Sequence, residues 1–233
     1  MRLLAPLLLL LALTPARAED VTVFAAASTG AALQEIAADW HTRTGNSAVI
    51  APAGSSAIAR QVQAGAPADL VLLASADWMD VLEEGGLLTP GSRVDLLGNR
   101  LALVGHGDQP PVEIGPDLDL SGRLGDGRLA MALVQAVPAG IYGKAALERL
   151  GLWEGVAAHV AQADNVRAAL AFVAAGATPL GIVYATDVGG VEGVTLLALF
   201  PEDTHPPIIY PLATIGPEPT STARCLPTLR TYR

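Results

Sequence analysis

Apolar residues recur at every second position over Val21–Phe24, which predicts a β-strand. From Gly30 to His41 the spacing lengthens, and Leu33, Ile36, Ala37 and Trp40 fall on one helical face. The same alternation then repeats. Ser47–Ala51 is a short predicted strand, 56–64 a helix, and Asp69–Leu73 a buried strand. Asp77–Glu84 is a helix opened by an acidic residue, and Leu101–Gly105 a further strand. After a stretch rich in Gly, Pro and Asp at 105–127, the pattern restarts. Arg128–Leu133 is a predicted strand, Gly140–Leu150 a helix closed by Gly151, His159–Ala161 a strand, and Val166–Ala174 a helix. Three more strands follow at Leu180–Tyr184, Val194–Phe200 and Ile208–Ile215.

Strands separated by single helices imply an α/β chain with parallel sheets. The 105–127 stretch is the expected linker, and the two βα series on either side of it suggest two lobes. The junctions between strands and helices share a composition. Ser28-Thr29-Gly30 follows the first strand and Gly54-Ser55-Ser56 the second. Pro138-Ala139-Gly140 and Asp164-Asn165-Val166 open two later helices, and Tyr184 ends a strand.

The first turn of a helix has backbone N–H groups without intrahelical partners and carries partial positive charge. Such a turn binds an anion without any basic side chain. Small residues let the anion approach those N–H groups, and serine or tyrosine adds a hydroxyl donor. Each corner taken singly is also an ordinary helix cap. Converging from two lobes, they would form a neutral, donor-only pocket for a small oxyanion.

Charge and the N-terminal segment narrow the setting. Residues 1–18 combine Met1-Arg2, an apolar run from Leu3 to Leu13 and Ala16-Arg17-Ala18, which reads as a secretory signal peptide cleaved near Ala18. The whole chain has 14 Lys+Arg against 23 Asp+Glu; without Arg2 and Arg17 the balance is 12 against 23, net −11. That balance argues against nucleic acid and anionic membranes as partners. The single cysteine, Cys225, excludes an internal disulfide framework, and no cysteine near the cleavage site offers a lipid anchor. A freely diffusing periplasmic protein is the expectation.

At this point the sequence resembles the molybdate-binding periplasmic proteins of ABC uptake systems. The matching stretches include VFAAAS at 23–28, SSAIARQVQAGAPADL at 55–70, LLGNRLALV at 96–104, VPAGIYGKAAL at 137–147, DNVRAALAFV at 164–173 and PLGIVYATD at 179–187. The resemblance implies a type II binding-protein fold, two α/β lobes joined by hinge strands. Lobe 1 would comprise 19–103 and 206–233, and lobe 2 would comprise 104–205. It implies ligand contacts at Ser28, Ser55, Ala139, Val166 and Tyr184. The ligand would be molybdate, with tungstate as a second, and no separate cofactor; molybdenum enters only as the bound oxyanion. A membrane-embedded ABC permease would be the partner of a monomeric carrier.

Two departures stand out. ALVQAVPAG precedes the third corner where the family has a small or acidic turn. The tail at 221–233, with Pro227 and Cys225, replaces the family's closing helical segment, as a frameshift or truncation would. A remnant with impaired binding and a binder of another tetrahedral oxyanion such as sulfate are the rival readings.

Enzyme chemistry finds no footing. AGSSA is not the G-x-S-x-G elbow, and His41, His106, His159 and His205 are scattered. Glu202, Asp203 and His205 could ligate a metal, but a solvated turn accounts for them. Arg60 and Arg167 lie near the corners, inside helices, where ion pairing explains them better than anion steering.

Overall fold

The computed structural model describes residues 20–216. The signal-peptide segment, Cys225 and the 221–233 tail lie outside the described residues. The first sheet draws on β1 (Asp20–Ala26), β2 (Ser47–Ala53), β3 (Leu70–Leu72) and β4 (Val94–Gly98). The helices α1 (Gly30–Thr44), α2 (Ser55–Gln63) and α3 (Ala76–Glu84) connect them. The chain then passes into β5 (Leu101–His106), α4 (Leu120–Leu124), β6 (Leu129–Ala132), α5 (Pro138–Arg149) and α6 (Trp153–Val156). It continues through β7 (Val160–Ala163), α7 (Val166–Ala174), β8 (Leu180–Tyr184) and β9 (Val194–Leu199), and ends with β10 (Ile209–Thr214).

Among the described residues ten strands form two five-stranded sheets, ordered β2-β1-β3-β10-β4 and β7-β6-β8-β5-β9. Parallel pairing, expected from the βα alternation, joins β2 to β1 to β3 and β7 to β6 to β8. Each sheet also contains one strand running the other way. β10 is antiparallel to both β3 and β4, and β5 is antiparallel to both β8 and β9. These are the strands that arrive from the other sheet, so the sheets are mixed because the chain crosses between them.

β5 belongs to the second sheet along its whole length. The chain therefore leaves the first sheet between Gly98 and Leu101 and returns between Leu199 and Ile209. The Gly/Pro/Asp-rich 105–127 stretch is not the inter-lobe linker that its composition suggested. It connects β5 to β6 within the second sheet and contains α4, whose Leu120 and Leu124 are buried in the core. Gly and Pro mark surface turns in general, and the crossing itself needs only Asn99 and Arg100. β4, which the sequence pattern did not reveal, has a half-exposed face and among the described residues pairs only with β10.

Burial follows the strand period. In the first sheet Leu70 and Leu72 face one cluster with Val21, Val23 and Leu33, while Val71 and Leu73 face another with Ile58, Met79 and Leu82. Helices thus cover both faces. This arrangement fixes where each parallel strand ends, and every helix following such a strand begins at the same edge of its sheet.

Candidate functional site

Four of those strand-to-helix corners meet at one cavity. β1 ends at Ala26 and turns through a 3-10 segment, Ala27–Thr29, into α1; the starts of α2, α5 and α7 complete the wall. The cavity is narrow, about 10 Å³, and partly open to solvent. Ser28, Ser55, Ala139, Val166 and Tyr184, the five positions nominated from the sequence, all line it. Among the described residues none of those lining it is charged. Most are Ala, Gly, Pro or Ser, so backbone rather than side chains forms the wall.

The helix starts leave donors free. The capping positions of α2 and α5 are Gly54 and Val137, which supply no side-chain acceptor. Bonding to the cap carbonyls starts at Ala57 and Ile58 in α2, at Gly140 and Ile141 in α5, and at Ala169 in α7. Earlier N–H groups, at Ser55, Ala139 and Val166, remain unclaimed by backbone. In α7 the Asn165 side chain caps the turn by accepting from Ala168 N–H at 3.0 Å, which leaves Val166 N–H available. Pro138 at the first position of α5 has no N–H to offer and holds φ at a helical value, so Ala139 is its first donor.

Tyr184, at the end of β8, is 1% exposed, and its hydroxyl has no hydrogen-bond partner. A buried polar group left unpaired costs roughly 1–3 kcal/mol. Burial raises the phenol well above its ordinary pKa, with smaller contributions from Tyr210, Tyr142 and Asp187, so it keeps its proton and remains a donor. Its ring stands edge-on to Tyr210, centroids 6.0 Å apart.

The two serines are already engaged on one side. Ser55 Oγ accepts Ala74 N–H at 2.9 Å. Ser28 Oγ lies 2.9 Å from Tyr210 Oη, and Asn99 Nδ2 donates to Tyr210 Oη at 3.0 Å and to Thr186 Oγ1 at 2.8 Å. Tyr210 and Asn99 carried no chemical signal in the sequence. One is an apolar-looking strand residue between Ile209 and Pro211, the other a turn residue after Gly98. Only the crossing of the chain brings them behind Ser28.

Contacts between elements of the two sheets close the cavity's rim. Trp78 Nε1 of α3 donates to Ala136 O, just before α5, at 2.9 Å. Gly54 sits so near the chain before α7 that an added Cβ would lie 2.6 Å from Asp164 O.

Charges stand behind the wall. Arg167 Nη1 donates to Asp187 O at 2.8 Å and lies 3.4 Å from its Oδ1, so Arg167 is ion-paired rather than free to steer ligand. Arg60 is exposed. Burial pushes the Asp187 carboxyl up to about 6, with Arg167 opposing the rise. Glu202 pairs with Arg100 at 3.4 Å in a surface turn, and among the described residues no three or more His, Cys, Asp or Glu are grouped to hold a metal ion.

The chain is similar to several known proteins. The family model described as "Bacterial extracellular solute-binding protein" matches residues 21–224. The chain is 41% identical over 201 residues to the molybdate-binding protein ModA of Escherichia coli K12, covering 84% of this chain and 77% of that one. It is 38% identical over 206 residues to the molybdate-binding protein ModA of Haemophilus influenzae, covering 86% and 80%. Among solved structures, the Azotobacter vinelandii periplasmic molybdate-binding protein superposes with a TM-score of 0.74 at 23% identity, covering 90% of each chain.

Proposed function

The chain belongs to the bacterial extracellular solute-binding proteins, and on that premise we propose that it captures molybdate, and tungstate with it, and delivers the oxyanion to an ABC permease. The ligand is held by hydroxyls of Ser28, Ser55 and Tyr184 and by backbone N–H of Ser55, Ala139 and Val166. We assign the protein to the periplasm after cleavage near Ala18, acting as a monomer. Its lobes divide where the chain crosses between the sheets, at Asn99–Arg100 and again between Leu199 and Ile209.

One observation carries the reading: helix starts with free N–H groups and an unpaired, buried tyrosine hydroxyl converge on a cavity whose described lining residues carry no charge. Hydrogen bonds to an anion are worth about 1.5–3 kcal/mol each. Micromolar affinity needs about −8 kcal/mol after desolvation and closure have taken their share. Several donors must therefore act at once, which a single helix start cannot provide and four converging corners can. The molybdate-binding relatives, at 41% and 38% identity, favour molybdate among the tetrahedral anions. Binding and release require no chemical step.

Calorimetry of the protein from Glu19 onward against molybdate, tungstate and sulfate tests the assignment. Molybdate and tungstate should bind at micromolar concentration or tighter, and sulfate far more weakly, because the smaller ion cannot reach every donor. Tighter binding of sulfate, or no binding of molybdate, would overturn it.

A further inference from the structure

Trp78 belongs to the half built on the first sheet by its packing, and to the half built on the second by its one polar side-chain atom. It is the third residue of α3, half-buried, and packs against the cluster that contains Ile58, Met79 and Leu82. Ser75 caps the same helix by accepting Trp78 N–H at 3.5 Å. From this anchored position the indole Nε1 reaches the other half and donates to Ala136 O at 2.9 Å. An indole nitrogen donates only, so the bond has one sense. The turn that receives it is itself held. Leu133 O accepts the N–H groups of Ala136 and Val137 at 3.2 and 2.9 Å, and Gln162 Oε1 accepts Val134 N–H at 2.9 Å. Two firm supports thus face each other across one hydrogen bond, just before α5 begins at Pro138.

A second contact spans the same joint. Tyr142 of α5 is 7% exposed; burial raises its phenol above the ordinary value, and hydrogen bonding with Ser75 works against that rise. Neither Trp78 nor Tyr142 lines the cavity.

We propose that Trp78, seconded by Tyr142, is a latch between the two halves, a positioning residue that touches no ligand and sets how long the oxyanion stays bound. The inference rests on the oxyanion-binding function proposed above. Parting the halves to release the ion breaks the bond from Nε1 to Ala136 O, whereas entry of the ion between parted halves does not involve it. Apparent affinity scales with the population of the binding-competent form. A latch worth one hydrogen bond therefore tightens binding about fivefold without adding a contact to the ion.

Trp78→Phe keeps a ring on the apolar cluster and removes the N–H, and Tyr142→Phe likewise removes only the hydroxyl. Loss of molybdate from the loaded protein into excess tungstate, read by metal analysis of rapidly filtered samples, gives the off-rate; calorimetry gives Kd. Each variant should release molybdate about fivefold faster and bind it about fivefold more weakly. The on-rate and the melting temperature of the ligand-free protein should stay near those of the unaltered chain. Unchanged release in both variants overturns the latch while molybdate binding stands.

Gly54→Ala separates a latch from a role within one half. The added Cβ would meet Asp164 O at 2.6 Å and keep the halves apart. Without closure there is no latch to lose, so Trp78→Phe should cost no further affinity in that background. An equal loss in both backgrounds means that the indole acts on its own half alone, and overturns the proposal. If Trp78→Phe does not fold, release from Tyr142→Phe decides. Absence of molybdate binding in the unaltered protein removes the function and the latch with it.

Discussion

Gly54 and Asp164 meet across the cavity so closely that a methyl group on the first would lie 2.6 Å from the carbonyl oxygen of the second. Gly54 caps α2 with φ −65°, a value open to any residue, so its lack of a side chain serves the approach of the two segments rather than backbone freedom. Gly54→Ala should fold normally and fail to close. We expect at least a tenfold loss of molybdate affinity in calorimetry, with little change in the melting temperature of the ligand-free protein. Affinity equal to wild type would mean that the Asp164 segment yields without cost.

Tyr184→Phe separates binding from stability in the opposite way. The hydroxyl is buried without a partner, so its removal should leave the ligand-free protein as stable or slightly more stable. Molybdate affinity should fall about tenfold, the loss of one hydrogen bond to an anion. Thermal melting with and without molybdate reads both effects together, since ligand raises the midpoint by mass action. A destabilised apo form would show that the hydroxyl has a structural partner.

Val166→Pro deletes a backbone donor with little disturbance. Val166 is the first residue of α7, where proline is tolerated, and Asn165 before it is already extended at φ −158°, ψ 170°, as a residue preceding proline requires. The variant should melt near wild type and bind molybdate at least tenfold more weakly. Unchanged affinity would remove Val166 from the ligand set.

Asp187 predicts a pH dependence of stability. Its side chain is fully buried and its carboxyl is held at about 6, against 3.8 ordinarily, chiefly by burial. The folded protein therefore binds that proton more tightly than the unfolded chain does. The stabilisation is complete only below the unfolded value of 3.8, where the group is protonated in both states, and is lost as pH rises through about 6. The full swing is about 3 kcal/mol at most. Urea unfolding of Asp187→Asn across that window should show the slope flattened; an unchanged slope would assign it to another group.

The sequence made the site more legible than the frame around it. Strand-to-helix corners are local: a small residue after an apolar run signals a helix start, and Ser28, Ser55 and Ala139 were nominated as a recurring set of such corners rather than singly. Val166 offered nothing but its neighbours Asp164 and Asn165, and it entered through resemblance. What stayed hidden depends on chain crossing. Nothing in IIYPLATI marks Tyr210 as the group behind Ser28, 182 residues away in sequence. Likewise the true crossing at Asn99–Arg100 is shorter than any composition signal, whereas the conspicuous Gly/Pro stretch at 105–127 proved to be an internal connection.

The order of strands in the two sheets also sets an order of assembly. All five strands of the second sheet lie within residues 101–199, so that half has every backbone partner once its own segment has emerged. The first sheet is different. Among the described residues its β4 pairs only with β10, which wedges between it and β3 after the 110 residues from Asn99 to Ile208. Until Ile209–Thr214 arrive, β3 and β4 expose raw edges with no neighbour, and a chain emerging from its N-terminus keeps that gap open to the last. The half that begins first is finished last, so a helper that shields unpaired strands would act on the opening third of the molecule rather than its middle.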